Sequence, residues 1–270
     1  MGNYQIKQID GGTWQLLDPF RTYLYLIEGK DRAVLLDAGN GFSGLREAVA
    51  SLTDKPVEVI LTHGHFDHTG CSGEFSNCRI HPEDEVVLKS GFERTGRQKQ
   101  MARFSQLYDC PLSREEENYL VTRTMPDKLT YLADGEILDL GGRKLYVIST
   151  PGHTRGSVCF LDTDRGYLFS GDTACNREIL VYFDHSATVE DVKASDERLL
   201  SLEKEYREIW PGHHECPLDS SVLRDYIHAA DQILENPNIG EKVNLDLGYK
   251  LLYSYKTIGI SYVESHVYRN

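Results

Sequence analysis

No stretch of the sequence approaches eighteen consecutive apolar residues, so no segment reads as a membrane-spanning helix. The opening, MGNYQIKQIDGGTWQLLD, lacks the apolar run of a secretory leader. Its Met-Gly start fits a myristoylation pattern only in part, because Ile6 stands where Ser or Thr is needed. Basic residues are scarce: 29 Lys and Arg face 42 Asp and Glu, a net charge of −13. That balance argues against nucleic-acid and anionic-membrane partners, which need basic surfaces. The six cysteines (71, 78, 110, 159, 175 and 216) form no CxxC pair. With no leader they read as reduced thiols, and the expectation is a cytoplasmic protein. Repeats and low-complexity linkers are also missing. What is present is 40% apolar residues, enough for a sizeable core, and ten histidines whose spacing must explain them.

The pattern along the chain is that of an α/β protein. TYLYLIEG (22–29) and AVLLDAG (33–39) flank a turn at 30–32 and read as a hairpin, and VEVILTH (57–63) reads as a buried strand. Ser43 is the expected cap of a short helix through Leu45, Val49 and Leu52. Residues 82–130 turn polar and helix-prone, with a capping box at Ser113–Glu116, and read as a helical insertion, either a lid or a packing element. Strands resume with EILDL, KLYVIST, SVCFLDT and GYLFSGD, the last two joined by a turn at 164–166. Helices are expected from Thr188 and from Asp219 or Ser220, the second ending near Asn236-Pro237, with a strand-like REIW between them. The tail, 237–270, alternates apolar and polar residues as a strand pair does. Its Tyr249, Tyr253, Tyr255 and Tyr262 read as core, pocket wall or a homodimer contact. One domain spanning 1–270, with the insertion and this C-terminal extension, is the simplest organisation.

The strongest local signal is THGHFDHTG (62–70), an HxHxDH pattern that puts three histidines and an aspartate within six residues directly after a buried strand. Imidazole nitrogen suits Zn²⁺ and similar ions, and carboxylate compensates their charge. Residues leaving a strand end can converge on one point, and alternate positions of one loop can serve two adjacent ions. PGHTRGS (151–157) follows KLYVIST, SGDT (170–173) follows GYLF, and PGHHE (211–215) follows REIW, so three more candidates share that strand-end position. A lone His or Asp in a turn is more often structural; four such elements in one chain are not.

The order HxHxDH, GHTxGS, GDT, GH resembles the metallo-β-lactamase superfamily over residues 6–230. The resemblance implies a four-layer αββα sandwich with a metal site at one edge. It implies one ion on His63, His65 and His153, a second on Asp67, His68 and His213, and Asp172 bridging them. The implied cofactors are two divalent ions, Zn first, with Fe or Mn as alternatives. A metal-bridging hydroxide would then attack the substrate, with Asp67 and Asp172 as the acid–base groups. Thr62, Thr69, Thr154, Ser157 and Thr173 are available to orient the imidazoles, without assignment. Arg155, Asn176, Arg177, Tyr182 and His214 adjoin the motifs and are the candidate substrate contacts. His185 could border the pocket; His81, His228 and His266 read as ordinary polar residues, and Cys175 as a reactive thiol or a packing residue.

Secreted β-lactamases carry Cys or Ser where this chain has Asp172, so an antibiotic-hydrolysing role is not expected. The resembling branches are glyoxalase II-like thioesterases, lactonases, and general esterases or phosphodiesterases. Cys175, where lactonase relatives have Tyr, weakens the lactonase reading, and the strand-like tail weakens glutathione specificity. The expected function is hydrolysis of a small ester, thioester or lactone. The alternatives are a mononuclear iron, persulfide dioxygenase-like oxidoreductase, a phosphodiesterase, and a non-catalytic metal-binding module.

Overall fold

Short apolar strands of the first half pair into a seven-stranded sheet whose order follows the chain, β1-β2-β3-β4-β5-β6-β7. The strands are β1 (Gln5–Asp10), β2 (Thr13–Leu17), β3 (Tyr23–Glu28), β4 (Ala33–Leu36), β5 (Val57–Ile60), β6 (Cys78–Ile80) and β7 (Leu129–Tyr131). These assignments come from a computed structural model, which describes residues 3–246 and 248–269, so the Met1-Gly2 start lies outside the described residues. The contacts divide the chain into two compact units, Met1–Ala133 with Ile137–Lys144, and Asp134–Glu136 with Leu145–Asn270.

In the first unit β1 to β4 pair antiparallel and β4 to β7 parallel. All four residues of β4 are buried, as expected for a strand covered on both faces. The crossover from β4 to β5 runs through α1 (Leu45–Ala50), which buries Leu45 and Val49. Its N-cap is Gly44 in a left-handed conformation rather than Ser43. A four-residue turn of helix, α2 (Phe66–Thr69), follows β5. Three helices occupy the polar block: α3 (Glu85–Gly91), α4 (Arg94–Leu107) and α5 (Arg114–Val121), the last opened by the Ser113–Glu116 capping box. They are core elements of this unit, since Met101, Leu120 and Val121 bury with Leu24, Leu35 and Val59. Removing a fully buried side chain of this size from water is worth about 1.5–3 kcal/mol. The short β8 (Ile137–Asp139) returns to this unit, where Arg32 Nε donates to Asp139 O at 2.8 Å.

In the second unit β9 (Lys144–Ser149), β10 (Val158–Asp162), β11 (Tyr167–Gly171) and β13 (Glu208–Pro211) lie in the order β13-β11-β10-β9, and β11 and β13 run parallel. A four-stranded sheet, β12-β16-β15-β14, joins β12 (Glu178–Val181) to the tail strands β14 (Glu241–Asn244), β15 (Tyr249–Tyr255) and β16 (Ile258–Tyr262). Helix α6 (Val189–Ser201) starts at a second capping box, Thr188 with Asp191. Helix α7 (Ser221–Glu235) buries Val222, Leu223, Tyr226, Ala229, Ala230 and Ile233, a stripe of helical period. Tyr262 is fully buried, and Tyr249, Tyr253 and Tyr255 pack partly buried against the same core. Among the described residues no helix is long and apolar enough to cross a membrane.

Candidate functional site

The first unit places its ligand candidates directly after β5, His63 and His65 on the loop before α2, and Asp67 and His68 in α2 itself. Parallel pairing of β4 with β5 sets Leu36 opposite Ile60, so the two strand ends leave the sheet together. Asp37, the residue after β4, is held in a left-handed conformation at φ 64°. Its carboxylate accepts from Thr62 N at 2.8 Å and Thr62 Oγ1 at 2.9 Å, and lies 2.7 Å from His68 Nδ1. Thr62 Oγ1 also lies 3.0 Å from His63 Nδ1. The proton inventory then fixes both tautomers. A carboxylate only accepts, so the single Thr62 hydroxyl proton goes to Asp37, and Oγ1 accepts from His63 Nδ1–H. Asp37 accepts from His68 Nδ1–H in the same way. Both rings therefore carry their lone pair on Nε2, the tautomer a metal ion needs, with its orientation set by an outer oxygen. His63 Nε2 is 3.1 Å from His65 Nδ1, and Asp67 Oδ2 is 4.0 Å from His68 Nε2.

Two glycines let the loop sit this tightly. A Cβ on Gly64 would lie 2.7 Å from Asp84 O, and one on Gly70 would lie 2.3 Å from Asn40 C, both inside contact distance. Asp84, fully buried, accepts from Gly64 N at 2.7 Å.

The second unit supplies His153, Asp172 and His213 from three separate strand ends. His153 Nδ1 lies 2.9 Å from the carbonyl of Leu180 in β12. A carbonyl only accepts, so this ring too is protonated at Nδ1 and turns a lone pair outward at Nε2. Asp172 presents one carboxylate oxygen to each histidine: Oδ2 is 3.5 Å from His153 Nε2 and Oδ1 is 3.7 Å from His213 Nε2. Both separations exceed a normal hydrogen bond. Imidazole nitrogens and carboxylate oxygens are the donors that divalent ions take, so the donor types present in each unit fit metal ions. Gly212 N donates to Gly171 O at 2.8 Å and ties the Asp172 and His213 turns together.

The remaining candidates scatter over the second unit. Arg155 is exposed, with Nη2 donating to Asp184 O at 2.8 Å. Asn176 Nδ2 donates to Glu215 Oε2 at 2.7 Å, and Arg177 is exposed while its carbonyl accepts from Tyr226. Tyr182 packs on Phe183 and under the ammonium of Lys250. His214 is exposed at a left-handed φ of 69°. His185 stacks on Phe183, and burial holds its imidazole down at about 4, with help from the Arg155 charge. Cys175 is a packing residue: buried, 3.6 Å from Tyr226 Oη, its thiol pushed up by burial to about 11. Of the other histidines, His81 caps a 3-10 turn, His228 packs on Tyr255, and His266 Nδ1 lies 3.0 Å from Val181 O. The sequence reading missed Asp37 and Asp84. For Asp37 the sequence shows only an acid at the end of an apolar strand, as at Asp172; its role depends on the pairing of β4 with β5.

This architecture and these donor sets define a class. Residues 17–237 match the model of the Metallo-beta-lactamase superfamily, and the chain belongs to that superfamily. It is 29% identical over 237 residues to human Acyl-coenzyme A thioesterase MBLAC2, covering 78% of this chain and 81% of that protein. Among solved structures, a metallo-beta-lactamase family protein of Thermus thermophilus is similar at a TM-score of 0.59 and 24% identity, covering 86% of this chain and 81% of that one. A beta-lactamase domain protein of Burkholderia ambifaria is similar at a TM-score of 0.62 and 18% identity, covering 87% and 75%. The expected α/β metallo-β-lactamase fold is therefore the fold of this chain, and the chain is a hydrolase of a metal-dependent superfamily.

Proposed function

We propose that this hydrolase is a dinuclear metal-dependent thioesterase acting on acyl thioesters of the coenzyme A type. In this reading His63, His65 and His153 hold one ion, Asp67, His68 and His213 the other, and Asp172 both. The observation that carries the dinuclear reading is the arrangement of Asp172, one oxygen facing each of two histidines, together with imidazoles already fixed in the ligating tautomer. The similarity to the human thioesterase over most of both chains supports a thioester substrate. Bound divalent ions, Zn first and Fe or Mn as alternatives, supply an activated water and polarise the substrate carbonyl. Asp67 and Asp172 take the proton of the attacking water at a carboxylate oxygen and return it to the leaving group. A thiol leaves readily, having a pKa of about 8.5, so carboxylates are adequate acids for this reaction. Asp37, Thr62 and Leu180 O keep three imidazoles from rotating or changing tautomer during turnover.

The further parts of this reading are a small-molecule substrate, a single catalytic domain over 1–270 with the 82–130 helices as an insertion, and a cytoplasmic location. Six free thiols among the described residues support a reducing compartment. The test is hydrolysis of acyl-CoA esters of graded chain length beside matched oxygen esters, lactones and phosphodiesters, with metal quantified on the same preparation. About two zinc ions per chain and a thioester preference above about 100-fold are expected. One iron per chain with oxygen uptake on a persulfide would replace this assignment by the oxidoreductase alternative.

A further inference from the structure

Two buried polar side chains of the helical segment reach the ligand loop or the segment behind it: Asp84 contacts Gly64 and Arg97 contacts Asn40, and neither caps a helix with its side chain. Arg97 on α4 is 1% exposed. Its guanidinium donates from Nε to Leu120 O at 2.5 Å, from Nη1 to Gly91 O at 3.2 Å, and from Nη2 to Asn40 O. Three carbonyls on three different segments thus meet one planar fork, a geometry Lys cannot reproduce. Burial lowers its pKa to about 10, so it stays a cation at neutral pH. A cation taken out of water is costly, and an apolar side chain of similar volume would serve packing better.

The carbonyl of Asn40 belongs to the segment that holds His68. Ala38 N donates to His68 O at 2.6 Å, Gly70 N to Gly39 O at 2.7 Å, and Cys71 N to Ala38 O at 3.0 Å. Asp37 orients the His68 ring itself. From its other end, Asn40 is pinned by Asp18 Oδ2 through both its backbone N at 2.8 Å and its Nδ2 at 2.9 Å. Asp84, in the turn before α3, grips Gly64 N, the peptide between His63 and His65. The two contacts therefore bracket the loop, one at its first two histidines and one behind its last. Both lie where the chain has no side chain to interpose: a Cβ on Gly41 would sit 2.6 Å from Arg97 Nη2, and one on Gly64 2.7 Å from Asp84 O.

We propose that Asp84 and Arg97 are positioning residues for the ligand loop, and that the helical segment containing them is a clamp on that loop. The proposal rests on reading His63, His65 and His68 as metal ligands. Its test is zinc affinity, by competition with a chromophoric chelator, together with zinc stoichiometry, in Arg97→Met, Arg97→Lys and Asp84→Ala, the last of which removes the acceptor of Gly64 N. Met101→Ala is the control: a fully buried α4 side chain that touches the core and carries no polar contact to the loop. Outer residues of this kind typically cost 10–100-fold in metal affinity when removed, and that loss is expected in all three variants. Met101→Ala is expected to lower Tm and leave affinity within about 2-fold. Wild-type affinity in Arg97→Lys and Asp84→Ala would overturn the proposal, as would an equal loss in Met101→Ala. Where Arg97→Met or Asp84→Ala does not fold, Arg97→Lys decides. A wild-type chain that binds no zinc would instead overturn the proposed function, so the two failures are distinct.

Discussion

The first unit draws its ligand candidates from one loop of six residues, and the second draws three from three strand ends. The outer support differs accordingly. In the first unit the rings of His63 and His68 are held by side chains, Thr62 and Asp37. In the second the ring of His153 is held by a backbone carbonyl, Leu180 O, and the Asp172 and His213 turns are joined main chain to main chain. A contiguous loop brings its donors together at little topological cost but leaves them free to rotate, so neighbouring side chains must orient them. Donors carried by separate strands are placed by the sheet. The two units should therefore respond differently to substitution.

The largest effect is expected where the proposal makes one residue serve both ions. Asp172→Ala should lose about one metal equivalent per chain and lower kcat/KM on the order of 10³-fold, the range of a lost acid–base group plus a lost ligand. Unchanged metal content and rate in that variant would refute the bridging role. Next comes Asp37→Ala, which removes the acceptor of both His68 Nδ1 and Thr62 Oγ1; a 10–100-fold loss of metal affinity is expected by titration. Its counterpart in the second unit is Ser186→Ala, which deletes the hydroxyl donated to His153 O at 2.8 Å but leaves the Leu180 anchor in place. One neutral hydrogen bond is worth about 1 kcal/mol, so metal affinity should fall less than about 5-fold. Equal losses in Asp37→Ala and Ser186→Ala would erase the contrast between the units.

The same contrast decides what the sequence made legible. The loop of the first unit stands out because its donors are adjacent in the chain, directly after an apolar run. Helices α5 and α6 are legible at their starts because a capping box is a local signal, Ser113 with Glu116 and Thr188 with Asp191. Asp37 acquires its role only when β4 and β5 pair in parallel with Leu36 opposite Ile60, a register no local pattern encodes. The anchor at Leu180 is a carbonyl and has no side-chain signature. Strand β1 escapes notice because it is a polar, exposed edge, and β12 because four residues between turns carry too little alternation. Ser43 looks like a cap by residue type, but the left-handed backbone at Gly44 takes that position.

The smallest effect concerns a buried carboxylate that does no visible holding. In the first unit the buried acids accept hydrogen bonds: Asp18 from Asn40, Asp37 from Thr62, and Asp84 from Gly64. In the second unit Asp196 on α6 is fully buried, and neither of its oxygens has a hydrogen-bond partner among the described residues. Burial therefore pushes its pKa well above the ordinary carboxylate value. The native state then keeps a proton that the unfolded chain releases near pH 3.9, so the native form binds more protons above that pH. Stability must fall as pH rises through this window, the reverse of a salt-bridged aspartate. Asp196→Asn keeps the shape and removes the titration. The variant should match wild type near pH 4 and exceed it at pH 7.5 by about 2–4 °C in Tm, the shift that about 1 kcal/mol gives a chain of this size. Titrations common to both proteins cancel in the difference. A Tm gap that does not change between pH 4 and 7.5 would mean that Asp196 is hydrogen-bonded like its counterparts in the first unit, and would remove this difference between them.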